Sequence, residues 1–394
     1  MAISPTLSTL LATFGLSLGA AGQAPELLVS SRNSDEILRY DGTGAFLGSF
    51  ASGGGLDNPV GLTFGPDGNL YVVSANTNEV LRYDGATGAF VGVFASAGLS
   101  APRNLNFGPG GDLFVCNGAT GDVRRFDAAS GQAKGVFAQH PTLTAPTSMT
   151  FGPDGNLYVG SVTNNHVVRF DGRSGGFLDV FAQGGQNGTH DLSFGPDGDL
   201  YVSNAFGSQD VVRFDGGTGA LQGVFVRAPV VSFPLGITWG LDGDLYLVNQ
   251  GGHDVRRFDG RTGAFVATVV AARAGGLDAP LFAAFVPAAR GTPRSLPPSP
   301  AAAGADTVFA HDGIRPGGIA AVAVGLARGA AGLPCPGATL GVQSPLVLGV
   351  GSADESGHLV LRRRVPAALS GVTVLLQPVD FTACVAGRVL SHRF

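Results

Sequence analysis

One short phrase, FGPDGNLYV, is repeated along the chain and constrains its fold more than any other feature. Its leading aromatic residue is Phe64, Phe107, Phe151, Phe194 or Trp239, and Phe285 stands at the next such position. Successive aromatic positions are 43, 44, 43, 45 and 46 residues apart. This period is typical of the blades of a β-propeller and is much too long for leucine-rich repeats. The spacing therefore predicts an all-β propeller.

Each period contains four predicted strands, which in the first complete unit cover residues 61–64, 69–74, 80–84 and 90–95. Pro66, Asp67 and Gly68 join the first two strands as a hairpin turn. In such a turn proline presets φ, aspartate accepts local backbone bonds, and glycine takes the left-handed conformation. The segment 84–88, DGATG, joins the third and fourth strands in the same way. Turn chemistry thus explains the repeated phrase, which marks the fold and not an active site.

The third strand of the unit gives the number of blades. It ends in an Arg, an aromatic residue and an Asp, and it occurs six times. The first unit begins at residue 27 without its own first strand, whereas the array ends with a lone first strand at residues 282–286. We therefore predict a six-bladed β-propeller over residues 25–286, closed by this C-terminal strand. The Arg of each third strand, such as Arg82, is expected to reach an Asp of its own or the next blade.

Different compositions lie on either side of this array. Residues 1–24 contain an apolar stretch that ends in small residues, which predicts a signal peptide and a secreted or cell-surface protein, extracellular or periplasmic. Residues 287–305 are rich in Pro and Ala and predict a linker. Residues 306–394 alternate apolar runs and predict a small β-sandwich-like domain. In an oxidising compartment Cys335 and Cys384 could form a disulfide.

Charge limits the classes of partner. The formal net charge is -5 and charged residues make up only 13% of the chain, so no basic surface for nucleic acid or an anionic membrane is expected. No segment after the leader has the length and apolarity of a membrane span. The expected partner is a protein, a glycan or a small molecule.

The phrase GLTFGPDGNLYV, followed by VxRFDG, resembles the six-bladed propellers of the NHL-repeat group, in particular the streptogramin lyase-like and gluconolactonase-like propellers. The resemblance covers residues 27–286. In gluconolactonase-like propellers, residues in a Pro-x-Gly pattern just before the innermost strand face the central channel and hold a divalent metal through Glu, Asn and Asp. The resemblance implies that a functional site, if shared, lies at the channel.

The equivalent channel positions of this chain are Val60, Arg103, Thr147, His190, Leu235 and Leu281. Of these six, only Arg103 and His190 have side chains that could take part in catalysis or bind a charged group. Neither provides the hard oxygen ligand that calcium or magnesium prefers. Streptogramin lyases place an acidic residue at the end of the second strand, where this chain has Ser74, Asn117, Ser161, Asn204 and Asn249. We therefore predict no metal and no other cofactor, and a divalent metal belongs only to an enzymatic alternative.

One channel position differs from the rest. Where other blades have Asn-Pro, Ala-Pro or, in one case, Phe-Pro, residues 187–191 read NGTHD and place His190 beside Asp191. The two could act as a general base and its orienting partner, or contact a ligand. Adjacent strand residues point to opposite faces, however, so the alternative is a polar residue satisfied at the channel mouth. The candidate ligand-binding residues are Arg103, Asn104, Thr147, His190 and Asp191.

Three functions remain open from the sequence. The first is a secreted or surface-attached propeller that acts as a non-catalytic binding scaffold. The second is a streptogramin lyase-like or lactonase-like enzyme with its site at the channel, which metal content and activity on cyclic esters would reveal. The third is a purely structural surface or matrix component, which a defined small-molecule ligand would contradict.

Overall fold

The computed structural model describes residues 25–287 apart from residues 228 and 241, and beyond residue 287 it describes strands alone. Six antiparallel four-stranded sheets form six blades. Blade 1 contains β1 (Leu27–Ser31), β2 (Glu36–Tyr40) and β3 (Phe46–Ser52); blade 2, β4 (Pro59–Phe64), β5 (Leu70–Ser74), β6 (Glu79–Tyr83) and β7 (Phe90–Ala95); blade 3, β8 (Pro102–Phe107), β9 (Leu113–Asn117), β10 (Asp122–Phe126) and β11 (Ala133–Gln139).

The other blades follow the same order. Blade 4 contains β12 (Pro146–Phe151), β13 (Leu157–Ser161), β14 (His166–Phe170) and β15 (Phe177–Gln183); blade 5, β16 (Thr189–Phe194), β17 (Leu200–Asn204), β18 (Asp210–Phe214) and β19 (Leu221–Val226); blade 6, β20 (Pro234–Trp239), β21 (Leu245–Asn249), β22 (Asp254–Phe258) and β23 (Phe265–Val270). Two short 3-10 turns lie at Gln250–Gly252 and Ala274–Gly276. The predicted all-β, six-bladed propeller is confirmed.

The last propeller strand, β24 (Pro280–Phe285), closes the ring. It pairs antiparallel with β1, with Leu27 opposite Phe285, and so becomes the innermost strand of blade 1. The side chain of Ser30 accepts the N–H of Phe282 at 3.0 Å. The predicted closure of the N-terminal blade by a C-terminal strand is therefore confirmed, and the open edge of β1 is covered.

The ring has two faces, which we name by their loops. The connector face carries the links from the outermost strand of one blade to the innermost strand of the next, together with the loops between second and third strands. The turn face carries the hairpin turns of the repeated phrase. In blade 2, Gly68 has φ +82° and donates its N–H to Gly65 at 2.8 Å. Proline, aspartate and glycine thus build the turn as the sequence predicts.

The repeated phrase also joins neighbouring blades. Tyr71 packs edge-to-face on Phe107, the leading aromatic of the next blade, with ring centroids 5.0 Å apart. The same contact recurs around the ring as Phe114–Phe151, Tyr158–Phe194, Tyr201–Trp239 and Tyr246–Phe285. Such pairs add stability beyond the apolar area that they bury. Aromatic packing between blades is therefore a second structural role of the phrase.

The third-strand arginines pair within their own blades. Arg125 contacts Asp112 at 2.6 Å, and Arg213 contacts Asp199 at 2.6 Å. Arg82, Arg169 and Arg257 likewise meet aspartates of their own blades, whereas Arg39 in blade 1 meets Glu26. The predicted pairing with an Asp is confirmed in five blades, and in blade 1 a Glu takes its place. These arginines therefore have a structural role that is shared by all blades. A functional site is expected at positions where the blades differ.

Beyond residue 287 the described strands are Arg294–Ser295, Asp306–Asp312, Ile319–Gly325, Arg328–Gly332, Thr339–Val342, Leu346–Ser352, Leu359–Arg364, Thr373–Asp380, Val385–Ala386 and Leu390–Arg393. A small β-sandwich-like domain at residues 306–394 stays a prediction. The signal peptide at residues 1–24 and the pairing of Cys335 with Cys384 lie outside the described residues. Among the residues that are described, no helix is long and apolar enough to cross a membrane.

Candidate functional site

A β-bulge opens every innermost strand at the connector face. In blade 5, Thr189 pairs with Asn204 and Asp191 pairs with Ser203, so His190 is an extra residue without a partner across the ladder. Thr147 is the extra residue of blade 4 in the same way. Because a bulge breaks the strict alternation of a strand, it re-aims the side chain that it carries. The channel positions predicted from the sequence are therefore the bulge residues of the ring.

In blades 3, 4 and 5 the position after the bulge carries a buried polar side chain that links neighbouring blades. Asn104 in blade 3 donates its side-chain N–H to Ser148 Oγ in blade 4 at 2.9 Å. Ser148 in turn donates its hydroxyl to Asp191 Oδ1 in blade 5, and Asp191 Oδ2 accepts the N–H of Ile237 in blade 6 at 2.6 Å. Asn104, Ser148 and Asp191 are all buried. The structure thus places Asn104 and Asp191 beneath the channel mouth, where their observed partners are structural.

His190 and Asp191 do not form a hydrogen-bonded pair with each other. Burial raises the pKa of Asp191 to about 6, although its hydrogen bonds oppose the shift. Burial lowers the pKa of His190 to about 4, and the charge of Arg103 adds to that effect. The Nδ1 atom of His190 is buried and has no hydrogen-bond partner among the described residues. At neutral pH the imidazole is therefore uncharged, and the neighbouring carboxylate does not orient it.

Arg103 provides the positive charge of the channel mouth. Its side chain is exposed, and its stem lies against Gly118, where an added Cβ would be 3.3 Å from Arg103 Cγ. Partial loss of water and the charge of Arg32 lower the pKa of Arg103. Within residues 25–287, neither Arg32 nor Arg103 meets a carboxylate. The sequence analysis missed Arg32, because it follows β1 and only the closed ring brings it near Arg103.

Apolar side chains form the floor beneath these charges. Val60, Leu235 and Leu281, the bulge residues of three other blades, are only 3%, 3% and 6% exposed. Thr147 is half-buried and donates its hydroxyl to the carbonyl of Thr189 at 3.2 Å. At the mouth Arg103 is therefore an exposed cation, whereas the hydroxyl of Thr147 is bonded to the next blade.

The ends of the second strands have structural partners. The side chain of Asn117 accepts the N–H of Ser100 at 2.6 Å, and that of Asn204 accepts the N–H of Asn187 at 3.0 Å. Ser74, Ser161 and Asn249 make the equivalent bond to their own connectors. The positions at which streptogramin lyases carry an acid are thus used here to hold the connector of the same blade.

A divalent metal does not fit this donor set. The six bulge residues supply one imidazole, one hydroxyl and one guanidinium, whereas calcium and magnesium require several oxygen ligands. Within the described part of the chain, no group of three or more His, Cys, Asp or Glu residues could hold a metal ion. We therefore derive no chemical step that passes through a metal.

Comparison with solved structures agrees with the fold. A chain of the nidogen/laminin complex has a TM-score of 0.56 and 16% identity, with 66% of this chain and 98% of that chain covered. A Bacteroides caccae protein of unknown function has a TM-score of 0.53 and 13% identity, with 67% and 99% covered. Virginiamycin B lyase from Staphylococcus aureus has a TM-score of 0.44 and 19% identity, with 53% and 68% covered.

At these identities the likeness concerns the fold alone. No protein-family model matches the chain, and no curated protein matches it. The resemblance to six-bladed propellers that was inferred from the repeated phrase is confirmed at the level of the fold.

Proposed function

We propose that this chain is a secreted or cell-surface propeller that binds its partner without catalysis, and that the channel mouth of the connector face recognises a negatively charged group. The observation that carries the proposal is the pair of exposed guanidiniums of Arg32 and Arg103, which have no carboxylate partner among the described residues. By contrast, the third-strand arginine of every blade is neutralised by an acid of its own blade.

The environment of the two arginines favours an oxyanion with two charges. An apolar floor reduces the local dielectric constant, so an anion at the mouth is attracted more strongly than at an open surface. A guanidinium offers its donors as a planar fork that matches two oxygens of a phosphate, sulfate or carboxylate. Two nearby guanidiniums also repel each other, and a dianion removes this repulsion. The expected partner is therefore a small molecule or glycan that carries a phosphate or sulfate group.

The binding proposal is tested on a glycan array with sulfated, phosphorylated and neutral members. We expect the wild type to retain the sulfated or phosphorylated members, with inorganic phosphate as a competitor. Combining Arg32→Gln with Arg103→Gln should weaken this binding at least tenfold, because a charge-assisted hydrogen bond contributes about 1.5–3 kcal/mol. Arg173→Gln is the matched control, since Arg173 is exposed on the turn face between β14 and β15. Equal retention by the double variant, or of neutral glycans, would contradict the proposal.

A lyase or lactonase activity is the second candidate. It is favoured by His190, which is half-buried and uncharged, since a neutral imidazole at the channel can accept a proton from a substrate. The low pKa of His190 makes it a weak base, which is why binding is preferred. The measurement is the turnover of streptogramin B and of simple lactones with and without Mg²⁺. Turnover that His190→Gln abolishes would replace the binding proposal.

A further inference from the structure

Five of the six junctions between blades share one hydrogen bond at the connector face. A left-handed residue in the loop between the second and third strands accepts, through its side chain, the N–H of a left-handed residue just before the next innermost strand. The five pairs are Asp35 with Asn58, Asn78 with Ala101, Asn165 with Gly188, Gln209 with Phe233 and His253 with Ala279. Each bond thus connects one blade to its successor.

The junction between blades 3 and 4 lacks this bond. Gly121 and Ala145 occupy the two positions and keep the left-handed backbone, with φ +71° and +47°. Glycine has no side chain with which to accept a bond, and the N–H of Ala145 has no hydrogen-bond partner among the described residues. A buried or half-buried backbone donor normally has a partner. The missing side chain therefore leaves the N–H of Ala145 without an acceptor and leaves an empty space at this blade junction.

That space is a groove of about 490 Å³. Its walls include Thr120 and Gly121 from one blade and His140, Leu143 and Ala145 from the connector to the next. The volume lies within the range of small-molecule sites, which is about 300–1,000 Å³. Carboxylates are missing from the groove-lining residues, all of which are described. The other blade junctions are bridged at this point by their own side chains.

His140 adds a second donor to the groove. Its Nδ1 atom accepts the N–H of Thr142 at 3.3 Å and lies 2.8 Å from the Thr142 hydroxyl. Because Nδ1 accepts, the hydrogen of the neutral ring is assigned to Nε2. The ring is held in place by stacking on Phe177, with centroids 3.7 Å apart and planes 8° apart. The Nε2–H has no acceptor among the described residues.

We propose that this groove is a binding site for a small carboxylate with an apolar body. One carboxylate oxygen accepts the N–H of Ala145, in the role that the Asp35 carboxylate plays for Asn58 between blades 1 and 2 at 2.8 Å. The second oxygen accepts the Nε2–H of His140. The apolar body lies along Leu143.

This site is independent of the proposed function of the channel mouth. It rests on the N–H of Ala145 and the ring of His140, which are neutral donors, whereas the mouth rests on the guanidiniums of Arg32 and Arg103. A glycan or phosphate that binds only at the mouth therefore leaves the groove proposal unaffected. In the same way, binding in the groove does not require that the mouth binds anything.

The test is Gly121→Asn, which supplies the side chain that the other junctions have. Asparagine tolerates the left-handed backbone, and Asn78 and Asn165 hold it at φ +57° and +53°. A Cβ on Gly121 would lie 3.2 Å from the carbonyl oxygen of Leu143, a contact that a small shift of the connector relieves. We expect a rise in Tm of about 2–4 °C without ligand, because each 1 kcal/mol shifts a domain of this size by that amount.

Benzoate is the probe for binding, measured by ligand-detected NMR and by titration calorimetry. We expect wild-type protein to bind benzoate but not benzyl alcohol, and both Gly121→Asn and His140→Phe to bind benzoate at least tenfold more weakly. His140→Phe keeps an aromatic ring to stack on Phe177 and removes the Nε2–H donor, together with the Nδ1 acceptor of Thr142. Asn165→Gly at the next junction is the control, and it should lower Tm without affecting benzoate binding.

Two results would overturn the proposal. The first is wild-type protein that does not bind benzoate, or that binds benzyl alcohol equally well. The second is a folded Gly121→Asn protein that retains full benzoate affinity. If Gly121→Asn fails to fold, His140→Phe decides the matter, because it removes the Nε2–H donor without changing Gly121 or its left-handed loop.

Discussion

Asp191 is a buried acid at a position that is uncharged in the other five blades. The equivalent positions of the other blades are Gly61, Asn104, Ser148, Gly236 and Phe282, so Asp191 brings the only carboxylate to this level. It is buried, and its pKa is raised to about 6 by the loss of water. The charged form is thus disfavoured in the folded state even though Ser148 and Ile237 donate to it.

This shift predicts a pH dependence of stability. The folded-state pKa lies above the unfolded value of about 3.9, so the unfolded chain releases the proton first as the pH rises. The Asp191 contribution should therefore fall between about pH 4 and pH 6, by about 3 kcal/mol at 1.36 kcal/mol for each pKa unit. Asp191→Asn, which keeps a neutral amide, should remove this decline. Urea unfolding of both proteins from pH 4 to pH 7 measures it, and a constant difference between them would refute it.

The sequence predicted the alignment of the blades better than the contacts that their bulge residues make. The repeated phrase correctly predicted that Arg103, Thr147 and His190 take equivalent positions on three blades. Simple strand alternation could not show that a bulge isolates His190, or that Asp191 bonds to two other blades. Such contacts depend on how neighbouring sheets approach each other, and no local pattern encodes that distance. Arg32 was missed for the same reason.

In the hairpin of the repeated phrase, a hydrogen bond joins the turn to the strand that follows it. In four blades the turn aspartate accepts the hydroxyl of a tyrosine four residues later, as Asp67 does from Tyr71 at 3.0 Å. Blade 3 has Gly110 and Phe114 at these two positions and lacks the bond. The aspartate and the tyrosine therefore occur together in this molecule, or are both replaced.

Restoring the pair in blade 3 should stabilise the protein. Combining Gly110→Asp with Phe114→Tyr is expected to add a coupling of about 1 kcal/mol, typical of a net hydrogen bond, beyond the sum of the single changes. An added Cβ at Gly110 meets nothing within 4 Å, so the turn has room for the side chain. A double-mutant cycle followed by urea unfolding gives the coupling. Strict additivity of the two changes would show that the hydroxyl and carboxylate do not meet in this blade.

At the level of elements, the sequence predicted where each strand lies more accurately than the residue at which it starts. The first strand of blade 2 was predicted at residues 61–64 and observed as Pro59–Phe64, because the bulge extends pairing back to Pro59. The second, predicted at residues 69–74, is observed as Leu70–Ser74. Alternation and turn residues identify the regular part of a strand, whereas a bulge is set by the neighbouring strand.

At the level of the whole molecule, stability depends on the closing strand. Without β24, β1 would expose an unpaired edge, and blades 1 and 6 would lose the contact of Tyr246 with Phe285. A chain ending at Ala279 should therefore unfold at a lower temperature and self-associate through β1, whereas one ending at Pro287 should remain a monomeric propeller. Thermal unfolding with light scattering distinguishes the two. Equal melting temperatures would show that the ring does not need its closing strand.

Closure of the ring also places its two chain ends together, which determines how a tether at either end would orient the propeller. The N–H of Val286 donates to the carbonyl of Glu26 at 2.8 Å, so both ends of the ring lie side by side on the turn face. A tether at either end would therefore pull on the same blade and orient the molecule in the same way. The channel mouth and the groove would then face away from any support, open to whatever arrives from solution.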